Sequence, residues 1–144
     1  MSGALGVIQL QKAGEMAIGH TKAAMLYGEL LEDVKGITPL QIERPDESSW
    51  HLYVVRLDLD SLTISRDEFL EKLRDMKIGT SVHYRPLHMH THFINMGFRE
   101  EDYPIATDQF SRMFTLPLFP GMEPEQVEYV VDGLKQLLAT HRKA

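Results

Sequence analysis

Residues Ser65–Arg85 read SRDEFLEKLRDMKIGTSVHYR, and the fold is decided there. Ser65 and Glu68 form the S-x-x-E pattern of a capping box, in which the serine hydroxyl and the glutamate carboxylate each satisfy a backbone N–H that the first helical turn leaves free. Ile64 and Phe69 flank it at hydrophobic-staple positions. Phe69, Leu70, Leu73 and Met76 then recur at three- and four-residue steps, the stripe of a helix that buries one face. Gly79 is expected just past its stop. Thr80–Tyr84 (TSVHY) changes to a strand pattern. Upstream, His51–Asp58 (HLYVVRLD) is dense in β-branched and aromatic residues and reads as a central strand. Strand, capped helix and strand in close succession set a mixed α/β pattern for the rest of the chain.

Working outward, residues 3–34 predict a long helix, with Leu5, Ile8, Lys12, Met16, Ala23, Leu26, Leu30 and Leu31 at helical steps. Gly6, Gly14, Gly19 and Gly28 lie inside it, each unfavourable by about 1 kcal/mol relative to alanine, so close packing against something large is expected. Gly36 ends that helix. Ile37–Ile42 predicts an edge strand, and Glu43–Ser49 a polar loop. Downstream, Pro86–Gly97 (PLHMHTHFINMG) predicts helical turns. Pro104 suits the first turn of a helix reaching about Met113. Phe114–Phe119 predicts a strand that Pro117 confines to an edge or an end. Pro124 opens a last helix, with Val127, Val130, Val131, Leu134, Leu137 and Leu138 on one face and a basic close at His141–Lys143. The expected architecture is α+β: a small, mainly antiparallel sheet with helices packed on one face, preceded by the long helix. It forms a single domain over 1–144, divided into a helix over 1–35 and an α+β body over 36–144.

The bulk numbers agree with a globular domain. The chain has 144 residues, 43% of them hydrophobic and 25% charged, and a chain of that length buries about 68% of its unfolded surface. With 15 Lys+Arg against 21 Asp+Glu, the formal charge is −6, the wrong sign for a nucleic-acid binder. There is no cysteine, hence no disulfide and no thiol nucleophile. No apolar run approaches the roughly 20 residues of a membrane span, and no basic-then-apolar leader opens the chain. A cytoplasmic location is the expectation.

Four of the 7 histidines fall within His83–His92. A metal site is one reading, because imidazole suits zinc, copper or nickel. On a helix, though, His88 and His92 align while His90 points away, and no Asp or Glu stands nearby to complete a ligand set. Cleft and surface histidines without metal are favoured. For His83 and Tyr84 the residues leave two readings open: side chains presented to a ligand from a strand end, or a core tyrosine beside a histidine paired to a backbone carbonyl. The phosphate-cradling glycine loop, G-x-S-x-G and H-E-x-x-H patterns are absent. Lys12, Lys22, Lys35, Lys72, Lys77, Lys135 and Lys143 all fall on amphipathic helices or their ends, where a solvated ammonium is expected.

Five strings carry a resemblance: GALGVIQLQK (Gly3–Lys12), WHLYVVRLD (Trp50–Asp58), KIGTSVHYRPLH (Lys77–His88), YPIA (Tyr103–Ala106) and FTLPLFPGMEPEQVEYVV (Phe114–Val131). In this order they resemble the C-terminal portion of the DegT/DnrJ/StrS aminotransferases, and H-Y-x-P-L-H followed by L-P-L-F-P is the specific pair. The resemblance implies the small domain of a fold-type I, pyridoxal-phosphate-dependent enzyme that moves an amino group, usually from glutamate, onto a keto-sugar nucleotide. It implies that the Schiff-base lysine, the acidic partner of the pyridinium nitrogen and most phosphate contacts belong to an N-terminal large domain absent from these residues. No catalytic residue is then expected in this chain, no cofactor bound to it alone, and no metal. His83 and Tyr84 would line the substrate mouth, with His88 on the same wall and Arg85 as an anchor for a phosphate or carboxylate; a surface salt bridge is the alternative for Arg85. The long helix would bridge to the large domain and to a homodimer partner. Met1-Ser2 would be what remains of the family's Asn-Tyr-Arg-Met-Ser stretch, as in an excised or truncated chain. A non-catalytic α+β binding or interaction module is the other functional reading.

Overall fold

The computed structural model describes residues 2–143; Met1, half of the Met1-Ser2 pair that the resemblance reads as a remnant, lies outside the described residues. Helix α1 (Ser2–Leu31) is followed by strand β1 (Ile37–Pro39), strand β2 (Tyr53–Leu57) and helix α2 (Arg66–Asp75). Then come the short helix α3 (Thr91–Asn95), helix α4 (Pro104–Arg112), strand β3 (Met113–Leu116) and helix α5 (Pro124–Thr140). The three strands form one antiparallel sheet in the order β1-β2-β3, with Ile37 opposite Leu57 and Val55 opposite Phe114. The fold is α+β, and β2 is the central strand that its composition predicts.

Alternation along β2 makes the core. Tyr53, Val55 and Leu57 are buried while Val54 and Arg56 are half-buried, as a pleat with one side packed requires. Ala23, Tyr27 and Leu31 of α1, Phe69 and Leu73 of α2, and Val127, Val131 and Leu134 of α5 close over that buried face. The Tyr27 ring lies 4.9 Å from that of Tyr53, and its hydroxyl donates to the Pro117 carbonyl at 3.0 Å. Burial pushes the Tyr53 phenol up to about 12. On the other face Arg56 reaches Asp108 of α4 at 3.2 Å. Hydrogen bonds from Arg112, at 2.6 Å, and from Arg56 hold the Asp108 carboxyl below the usual carboxylate range.

Both ends of α2 are fixed by local chemistry. The Ser65 hydroxyl accepts from Glu68 N–H at 3.3 Å, and Glu68 Oε2 accepts from Ser65 N–H at 2.8 Å, the capping box legible in the sequence. The other end corrects an expectation, because the left-handed residue is Lys77, at φ 61°, and not Gly79. Ile78 N–H donates to Leu73 O and Lys77 N–H to Arg74 O, each at 2.9 Å, the paired bonds of a Schellman close with Ile78 and Leu73 both buried beneath it. The apolar clasp of Ile78 on Leu73 sets the register of the turn, so the lysine accepts the strained conformation. Lys77→Gly is therefore expected to stabilise the chain by up to about 1 kcal/mol, since a left-handed L-residue costs about 1–2 kcal/mol and glycine's chain entropy offsets part of the gain; an unchanged urea midpoint would refute this.

All four expected strands are shorter than their sequences indicate: β1 ends at Pro39 and not at Ile42, and β2 covers Tyr53–Leu57 of the expected 51–58. Pairing in β3 ends at Leu116, so Pro117 stands outside the ladder and only its carbonyl is used. Thr80–Tyr84 is not a strand: Ser81 alone pairs, with Thr115, through bonds of 2.8 and 3.4 Å, and side chains complete the attachment. Arg66, at the first turn of α2, is a buried clasp that no sequence pattern announces. Its Nη1 donates to the carbonyls of Phe110 (2.8 Å) and Met113 (3.1 Å), and its guanidinium lies 5.0 Å from the Phe110 ring centroid.

The expected close packing of the α1 glycines holds for one half of the helix. An added Cβ at Gly19 would lie 3.4 Å from backbone atoms of Pro120 and Gly121, whereas at Gly3, Gly6 and Gly14 it would meet nothing within 4 Å. Every residue from Gly3 to Ile18 is exposed. At 1.5 Å per residue that is roughly 24 Å of exposed helix; Lys12, Glu15, Met16 and Ile18 border a groove against Pro120–Pro124, while Leu5, Val7, Ile8 and Leu10 stand in solvent.

Candidate functional site

The histidine-rich loop hangs on β3. From the Ser81–Thr115 bridge the chain runs to His83, whose Nδ1 lies 3.2 Å from Thr115 Oγ1. The His83–Tyr84 peptide is cis, and the two rings meet edge-on with centroids 4.9 Å apart. Tyr84 is 72% exposed, which removes the core reading of that residue. His83 pairs with a side-chain hydroxyl and not with the backbone carbonyl of the alternative reading. Arg85 is exposed and forms no ion pair among the described residues.

Pro86 is extended, and the chain then makes a single 3-10 turn over Leu87–Met89 before α3. His90 falls between the two turns and its Nε2 donates to the Arg85 carbonyl at 3.2 Å, closing the loop on itself. His88 is only 7% exposed. Its Nε2 lies 3.1 Å from Thr107 Oγ1 of α4, and its ring stacks on Tyr103 with centroids 4.7 Å apart. Behind it, Tyr103 stacks on Phe98 and Phe98 meets Phe93 edge-on, at 6.1 and 5.7 Å. This aromatic support, with Thr107 and Thr115, is what reading the sequence misses. Each partner is distant along the chain, and a lone threonine carries no pattern.

The loop thus brings His83 and Tyr84 together and presents Arg85 beside them. His88 stands apart, buried against α4, with no hydrogen bond or ring contact to the pair among the described residues. Among those residues, no group of three or more histidine, cysteine or carboxylate side chains converges as a metal site would require. Two grooves among the described residues lie elsewhere. One of about 760 Å³ runs between the end of α1 and β1, past Gly28, Thr38, Trp50 and Tyr53, and another of about 670 Å³ lies between α1 and Pro120–Pro124. In the histidine loop Tyr84 and Arg85 are exposed, His83 is half-buried and His88 is buried.

No lysine is buried. Six of the seven are exposed and Lys72 is half-buried, close enough to the Glu68 carboxylate to help hold it ionised. No helix among the described residues is long and apolar enough to cross a membrane.

Comparison with known proteins places this geometry in context. The model of the DegT/DnrJ/EryC1/StrS aminotransferase family matches residues 1–135. The uncharacterized protein MJ1066 of Methanocaldococcus jannaschii is 34% identical over 139 residues, covering 96% of this chain and 36% of the relative. The spore coat polysaccharide biosynthesis protein SpsC of Bacillus subtilis is 29% identical, again over 96% of this chain and 36% of its own length. Among solved structures, Spr1654 of Streptococcus pneumoniae, assigned as a sugar aminotransferase, superimposes in its PLP-form with a TM-score of 0.84 and 30% identity, over 94% of this chain and 34% of that one. Its PMP-form matches equally well. The chain therefore spans about a third of the length of the relatives it matches.

Proposed function

That the chain belongs to the DegT/DnrJ/EryC1/StrS aminotransferase family is the premise from which we propose its role: it is the small, C-terminal domain of a pyridoxal-phosphate-dependent enzyme that passes an amino group, with glutamate as donor, to a keto-sugar nucleotide. The observation that carries the reading is the pairing of a match over 94% of this chain to a sugar aminotransferase in its PLP-form with coverage of only 34% of that protein. Residues 1–35 serve as the bridging helix and 36–144 as the substrate-facing body.

The chain's own residues do not fit the cofactor. A lysine that forms a Schiff base is made nucleophilic by a desolvated pocket or a cationic neighbour. Here Lys12, Lys22, Lys35, Lys77, Lys135 and Lys143 are exposed, and Lys72 lies beside a carboxylate. Electron-sink chemistry is the cofactor's, and its holder belongs to the two-thirds of the relatives' length that this chain does not match. What these residues contribute is binding and orientation. Arg85 offers a planar fork that takes a phosphate or carboxylate bidentately. His83 and Tyr84 line the sugar side, and His88 backs the same wall from its seat on Tyr103. An open wall becomes a water-excluding site when a second body closes against it. The solvent-standing half of α1 supplies contacts to the large domain and to a second subunit.

Co-expression with a candidate lysine-bearing N-terminal half tests the reading. Transamination of a keto-sugar nucleotide is expected from the pair, and no internal-aldimine absorbance from this chain mixed with pyridoxal phosphate alone. A visible band from the isolated chain that one lysine substitution abolishes would overturn the proposal, and so would a soluble pair without turnover, which would favour a non-catalytic interaction module.

A further inference from the structure

The two ring nitrogens of His83 are not equivalent. Nδ1 lies 3.2 Å from Thr115 Oγ1, and the Thr115 hydroxyl donates to the Ser81 carbonyl at 3.1 Å. A hydroxyl has one hydrogen to donate, and a carbonyl oxygen only accepts. With its hydrogen given to Ser81, Thr115 turns a lone pair toward His83, so Nδ1 must carry a hydrogen of its own. The neutral ring is then the Nδ1–H form, and Nε2 remains an unprotonated acceptor. His83 is half-buried, and its Nε2 has no hydrogen-bond partner among the described residues and is not fully buried; the neighbouring Tyr84 is exposed.

Its neighbours are wired the opposite way. Thr107 Oγ1 donates to the Glu100 carbonyl at 3.2 Å and so accepts from His88 Nε2. His90 Nε2 faces the Arg85 carbonyl, an obligate acceptor. His88 and His90 are therefore Nε2–H rings, and His83 is the exception in its own loop. The lock is rigid, because Thr115 is buried in β3 and Ser81 is paired to the same residue through the backbone.

We propose that Thr115 is a positioning residue that fixes His83 as the Nδ1–H form, so that Nε2 accepts a hydrogen bond from a hydroxyl of the bound ligand. Against the neutral ring an anionic oxygen at the same place would meet lone pair against lone pair, which is unfavourable. While neutral, His83 thus favours a sugar hydroxyl over a phosphate oxygen at Nε2, a role complementary to that of Arg85. What arrives at Nε2 rests on the substrate-wall reading above; the state of the ring does not.

Long-range proton–nitrogen NMR of the ¹⁵N-labelled 144-residue chain reads the ring states directly at about pH 8, above the ordinary imidazole pKa of about 6.5. The expected spectrum shows a protonated Nδ1 for His83 and a protonated Nε2 for His88 and His90. Thr115→Val, which keeps the shape and removes the hydroxyl, is expected to lose the His83 pattern, and Thr115→Ser to retain it. A protonated Nε2 on His83 in the wild type overturns the proposal, as does an Nδ1–H pattern that survives in Thr115→Val. Should Thr115→Val fail to fold, Thr115→Ala gives the same comparison, and the wild-type spectrum is decisive against the lock by itself. Absence of turnover in the co-expressed pair would remove the ligand assigned to Nε2 and leave the ring pattern as measured, so the two failures are distinguishable.

Discussion

Phe114→Ala is expected to lower the unfolding free energy by about 3–5 kcal/mol, the range for removing a fully enclosed aromatic ring. Phe114 is 0% exposed, lies opposite Val55 in the central ladder, and meets the Phe69 ring with centroids 6.1 Å apart. Sheet and helix pack through that contact, and the cavity left behind has rigid walls of strand on one side and capped helix on the other. Domains of this size are stable by about 5–15 kcal/mol in all, so the variant would lose a large fraction of its margin. A urea titration checks this as a lowered midpoint at unchanged slope. Ile105→Ala, at an exposed position of α4, serves as control and is expected to stay within about 0.5 kcal/mol. A Phe114→Ala shift below about 1 kcal/mol would mean that the described core is not where the stability resides.

The second large effect concerns association. Leu5 and Ile8 are exposed on the solvent-standing half of α1, and neither holds any part of the body. If they meet a second copy or a large domain, each buries roughly 1.5–3 kcal/mol of apolar transfer energy. Replacing both by glutamate removes that contribution and places two carboxylates where burial without a partner is costly. The dissociation constant is expected to rise by about two to four orders of magnitude, at about 1.4 kcal/mol per tenfold, with the thermal midpoint of the monomer unchanged. Sedimentation across a concentration series reads the dissociation constant, and a thermal melt at a concentration where the chain is monomeric reads the midpoint. A wild-type chain that stays monomeric at high concentration would rule out self-association through this face.

What the sequence makes legible here is whatever depends on neighbours along the chain. The capping box at Ser65–Glu68, the proline-led starts of α4 and α5, the alternation of β2 and the helical stripe of α5 are all local, and the structure follows them. Boundaries set by distant partners are less visible. Lys77 takes the left-handed position because Ile78 closes on Leu73, and Gly79 a little further on is the decoy. Thr80–Tyr84 has strand composition, but only Ser81 pairs, since the His83 side chain supplies the next bond to Thr115. The candidate site divides in the same way. Its prominent residues stand in one short run and were readable, while Thr107, Thr115, Phe98 and Tyr103, which set their orientation, come from other elements. Arg66 carries no signal in the sequence, because an arginine in the first turn of a helix ordinarily faces water.

The solvent-standing half of α1 has one more consequence. A lone helical stretch of this length is marginal in water, and Gly3, Gly6 and Gly14 weaken it by about 1 kcal/mol each. With every residue from Gly3 to Ile18 exposed, its winding draws on the partner it docks against. Amide hydrogens from Gly3 to Ile18 should exchange with solvent far faster than those of β2, and slow together once a partner is added. Assembly and helix formation are then a single equilibrium, and the strength of the contact sets how much of the segment is wound.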